Sequence, residues 1–124
     1  MKKGNYVDGY VLVVPKKNLD AYKKMASDAG KVWMKYGALD YKECVIDDAK
    51  PAHVTLPFGK MVSAKSNELV IFSYILYKSR AHRDTVNKKV MSDPIMNPEK
   101  WKGKPMPFDM KRMAFAGFNI IANY

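Results

Sequence analysis

Cysteine, arginine and histidine are all scarce in this chain of 124 residues, which holds one, three and two of them. A single thiol, Cys44, cannot close an intrachain disulfide, so a reducing, cytoplasmic setting is expected. His53 and His82 are far apart and lack helical ligand spacing, which argues against a metal site. No GxxxxGK or GxGxxG loop occurs, and no cofactor is expected. Long hydrophobic runs are also missing. The longest mostly apolar stretch, Leu69 to Tyr77, is about half of the ~20 residues a membrane-spanning helix needs. Near the N-terminus, "YVLVV" follows Asp8, ends at Pro15 and precedes no small-residue cleavage site, so no export signal is expected.

Lysine is what the chain has in quantity. It supplies 19 of the 22 basic residues behind a formal net charge of +10. Such a charge attracts nucleic acid and anionic surfaces without specificity. The lysines are nevertheless scattered, with no basic block, no zinc-finger spacing and no aromatic RNA-binding motif. A solvated lysine surface is expected, with no specific nucleic-acid partner and no membrane. Cys44, in a strand and outside any CxxC motif, is expected to be a buried, inert thiol.

The length fits a single domain over residues 1–124. Tyr6 to Val14 is β-branched and aromatic, as a strand should be. Its valines at 7, 11 and 13 are expected to face helices, leaving Tyr6, Asp8, Tyr10 and Leu12 on the other face. Asn18 is placed to cap a helix whose stripe runs through Leu19, Tyr22, Ala26, Ala29, Trp33 and Tyr36 and ends at Gly37. Ala38 to Ile46 reads as a second strand. Asp47 to Asn67 reads as loop with a short extended piece near Val62, and Leu69 to Tyr77 as a central strand. Ser79 to Ser92 reads as a second helix, residues 94 to 107 as a proline-rich connection, and Arg112 to Tyr124 as a last strand.

This order gives an α+β, ferredoxin-like βαββαβ fold: an antiparallel sheet with both helices on one face. The other face stays apolar and uncovered, so a sheet-to-sheet homodimer is expected.

Three phrases, "YVDGYVLVVP", "FSYILYKSRAHRDTVNKKVMSDP" and "MPFDMKRMAFAGF", together resemble the YbaA-like family of small bacterial proteins of unknown function. The likeness runs from Tyr6 to about Ile121 and departs from the family pattern at Tyr74, Lys78 and Met110. It implies membership of the dimeric α/β-barrel superfamily, whose members include cofactor-independent monooxygenases, isomerases and ligand sensors. Fold alone does not set the chemistry there.

Candidate site residues fall into three groups. In "SRAHRD", Ser79 caps a helix, while His82 and Arg83 flank the stripe of Val86 and Val90. A helix N-terminus resists protonation of His82, favouring a neutral base, and Arg83 offers an anion contact. The plainer alternative packs His82 at the core's edge and pairs Arg83 with a carboxylate. Asp8, in the interior of a hydrophobic strand, must be paired or neutral, and with Tyr10, Tyr41 and Glu43 it offers a polar locus for proton transfer. Asp109 and Arg112 follow the proline-rich connection, where loops line pockets. With the valine face inward, Asp8 and His82 are expected on opposite sides of the sheet. The expected function is a small-molecule pocket, either catalytic with His82 and Asp8 as acid and base, or a metabolite-sensing module.

Overall fold

The computed structural model describes residues 4–124. Strand β1 (Tyr6–Pro15) leads through a short turn into helix α1 (Leu19–Lys35), followed by β2 (Asp40–Val45). One helical turn, α2 (Phe58–Met61), precedes β3 (Glu68–Tyr77), helix α3 (Arg80–Met91) and the last strand, β4 (Ala114–Asn119). All neighbouring strands are antiparallel in the order β2-β3-β1-β4, so the two longest strands lie in the middle. Among the described residues no helix is long and apolar enough to cross a membrane.

Helices α1 and α3 cover one face of the sheet, and period-two alternation fixes which side chains they meet. That face carries Tyr6, Asp8, Leu12 and Val14 of β1 and Ile71, Ile75 and Tyr77 of β3, all buried. From α1 come Tyr22, Ala26 and Val32, and from α3 come Val86 and Val90. Burying side chains of this size contributes roughly 1.5–3 kcal/mol each, which is why the stripes on α1 and α3 decide where the helices dock. Tyr10 packs against both halves of this core.

The expected orientation of β1 is therefore reversed: Asp8 faces the helices, and Val7, Gly9 and Val11 lie on the open face. Register puts Val7 beside Leu76 and Phe118, and Val11 beside Phe72 and Ala114. The open face is still apolar. Phe72 is 44 % exposed and Phe118 54 % exposed.

Local corrections follow from capping and turns. Gly37, at φ +111, ends α1 as expected, since that conformation suits glycine. Asn18 makes no cap and instead donates to the Pro107 carbonyl at 3.1 Å. The stretch near Val62 is helical rather than extended, and Phe58 meets Phe72 edge-on at 6.3 Å, covering one end of the open face. Cys44 is exposed, not buried, because β2 is an edge strand and its residue 44 points to the open side. The last strand is shorter than expected and ends at Asn119.

Candidate functional site

A cavity of about 380 Å³ opens between the helix-facing side of the sheet, α1 and the 94–113 segment. Tyr10, Tyr41, Glu43 and Ser73 supply its floor from three strands, and Tyr22, Ala29 and Trp33 supply a wall from α1. Phe108 and Met113 close the side formed by the connection before β4. Apolar lining with a few convergent polar groups is the usual make-up of a small-molecule site.

Glu43 is the polar centre. One carboxylate oxygen accepts from the Tyr22 hydroxyl at 2.7 Å, the other from the Tyr41 hydroxyl at 2.8 Å. Burial and then the Glu43 charge push both hydroxyls far above the ordinary phenol range, so they remain donors at physiological pH. The Tyr10 hydroxyl is likewise raised, by burial first and the charge of Asp8 second. Trp33 is held by an indole hydrogen bond to Asn87 of α3 at 3.1 Å and lies 6.2 Å from the Tyr41 ring. Gly30 makes room for Tyr41: a Cβ there would sit 2.8 Å from its ring.

The remaining expected site residues are placed elsewhere. Asp8 and Arg83 meet as a buried ion pair at 2.8 Å, their side chains 0 % and 13 % exposed. Arg83 also binds Asp84 at 2.7 Å and lies over the Tyr6 ring. Burial raises the Asp8 carboxyl above its usual range, and Arg83 opposes that shift. The guanidinium thus engages carboxylates of the protein through Nε and Nη1. His82 stands outside the cavity. Its Nδ1 accepts from the Lys78 amide at 3.0 Å, its own amide donates to the Ser79 hydroxyl at 3.1 Å, and Nε2 lies against Gly37. Burial and the charge of Lys78 lower its pKa. Asp109 caps the turn before β4 by accepting from the Lys111 amide at 2.9 Å. Arg112 forks onto both oxygens of Glu68 and reaches the Ser63 carbonyl at 3.0 Å.

Asp8 and His82 do share the helix side of the sheet, contrary to the expected separation. They form no common cavity, since neither lines it. Tyr10, Tyr41 and Glu43 do come together there. Tyr22 and Trp33 were visible in the sequence only as an apolar stripe. Ser73 carried no sequence signal beyond composition, whereas Phe108 and Met113 belong to the loop after the proline-rich connection, where pocket-lining was expected. Among the described residues no group of three or more His, Cys, Asp or Glu is arranged to hold a metal.

A four-stranded antiparallel sheet in this order, with α1 and α3 on one face, defines a ferredoxin-like α+β protein. A solved structure of a dimeric ferredoxin-like protein from an uncultured marine organism matches 97 % of this chain and 99 % of its own. The TM-score is 0.58 at 9 % identity, a likeness of fold alone. The chain belongs to the family described as "Protein of unknown function (DUF1428)", which matches residues 5–110. Its relatives include the uncharacterized protein YbaA of Escherichia coli strain K12, 46 % identical over 116 residues, covering 94 % of this chain and 96 % of the relative. YbaA of Shigella flexneri matches to the same extent.

Proposed function

We propose that this protein binds a small organic molecule in the cavity between sheet and α1, and does so as a homodimer. The observation that carries the reading is the cavity itself: about 380 Å³, walled by tyrosines, Trp33, Phe108 and methionines, with one tyrosine-braced carboxylate in its lining. Binding without turnover is favoured over a cofactor-independent enzyme of the monooxygenase or isomerase kind. His82 and Asp8, the acid and base a catalytic reading would use, do not line the cavity; His82 Nδ1 accepts from the Lys78 amide and Asp8 Oδ1 from Arg83. A reacting group must lie within hydrogen-bond reach of the atom it serves.

A ligand-observed NMR screen of flat aromatic fragments at pH 7 tests this. Binders are expected, and Ala29→Phe, which fills the cavity from α1, should abolish their signals while the far-UV spectrum is retained. A screen without binders, or binders indifferent to Ala29→Phe, would refute the reading.

A further inference from the structure

The charge of the cavity runs against the charge of the molecule. The chain carries a formal +10, yet the only charged side chains lining this space among the described residues are Glu43 and Asp28. Asp28 faces the exposed Lys24 at 3.5 Å on the outside of α1. Glu43 makes no ion pair with any described residue. Lys23 lines a neighbouring groove beyond Glu43, and Lys104 lies over the Trp101 ring; both are solvent-exposed and neither pairs with the carboxylate. Arg83 and Arg112 do not line the cavity and are bound to Asp8 and Glu68.

Glu43 keeps acceptor capacity beyond its two tyrosine partners. An ionised carboxylate has about four acceptor sites, and the tyrosines take one on each oxygen. Tyr10, Tyr41 and Trp33 line the same cavity as Glu43, and aromatic ring faces attract positive charge, most strongly when water is excluded. Methionines and Phe108 complete an apolar space suited to a flat hydrocarbon body. An anionic head group would meet Glu43 with no compensating cation, which is costly in a desolvated site.

Resting on the cavity reading above, we propose that the ligand is an aromatic or otherwise hydrophobic amine, bound as its ammonium form with Glu43 as counter-ion. Three probes of one shape test it: tryptamine, the neutral alcohol tryptophol, and the anion indole-3-propionate, each titrated calorimetrically at pH 7. The amine should bind about tenfold or more tighter than the alcohol, and the acid most weakly. In Glu43→Gln the amine should lose that advantage while the alcohol binds as before, and the retained alcohol affinity reports that the cavity is still folded. The ranking in the unsubstituted protein stands as a test even if Glu43→Gln fails to fold. Equal or tighter binding of the alcohol or acid, blocked by Ala29→Phe, overturns the amine proposal and leaves the cavity reading intact. No binding of tryptamine at millimolar concentration also overturns it, and the fragment screen then decides the cavity reading separately.

Discussion

Asp8 has one oxygen bound to Arg83 and the other, Oδ2, buried without a hydrogen-bond partner among the described residues. An unpaired buried carboxylate is costly, so Arg83 matters more for what it neutralises than for its own packing. Arg83→Ala should therefore destabilise the fold by about 3–5 kcal/mol, and Asp8→Asn by less, since Arg83 keeps Asp84. Urea unfolding measures both, and equal costs would contradict the argument. The pH dependence has a definite sign. The folded Asp8 pKa is raised, so the folded state holds this proton at higher pH than the unfolded chain. Its stabilising contribution is full below the ordinary carboxylate pKa and is lost as pH rises through the folded value. Asp8→Asn should remove that decline. The sequence marked Asp8 as anomalous, because a charge inside a β-branched run is expensive wherever it points. Its partner was not legible. Both faces of β1 are apolar, and three valines on the odd face looked more like core than the tyrosines on the even one. Only the three-dimensional fold brings residue 83 over residue 8.

At the scale of elements, α3 begins with a reciprocal arrangement. Ser79 accepts from the His82 amide, and His82 Nδ1 accepts from the Lys78 amide, a variant of the capping box with imidazole as the returning acceptor. Only a neutral ring can make that bond, since a protonated Nδ1 is a donor. Burial and Lys78, joined by Lys89, lower the His82 pKa, while the backbone contact at Gly37 works the other way. The unfolded chain therefore takes up the proton first. Stability contributed here is present above the ordinary histidine range and lost as pH falls through it. The melting temperature should drop between pH 7 and pH 5, and His82→Gln, an acceptor that does not titrate, should flatten that slope. An unchanged slope would place the pH dependence elsewhere. Helices and strands were legible because period and punctuation agreed, with Gly37 and Asp93-Pro94 closing α1 and α3. Residues 94 to 107 were legible only as a connection, and the loop that follows only as a place where pockets are lined. Their short turns have no period, and Phe108 becomes a cavity wall solely by meeting Tyr22 edge-on at 5.6 Å.

For the whole molecule, the open face of the sheet poses the remaining energetic problem. Val7 and Val11 run between Phe72 on one side and Phe118 on the other, and both phenylalanines are about half exposed. Contiguous apolar surface of this kind marks an interface more often than free surface. The proposed second copy would meet a face four strands wide that carries few charges away from the Asp40–Lys42 pair at its β2 edge. A standard interface buries about 800 Å² on each partner, with aromatic anchors near its centre carrying much of the affinity. Light scattering coupled to size exclusion at micromolar concentration should thus return twice the chain mass. Phe72→Lys combined with Phe118→Lys should return the single-chain mass. The far-UV spectrum should be unchanged, because neither side chain belongs to the core under the helices. A monomer mass for the unsubstituted protein contradicts the dimer, and a dimer that survives both lysines moves its interface off this face.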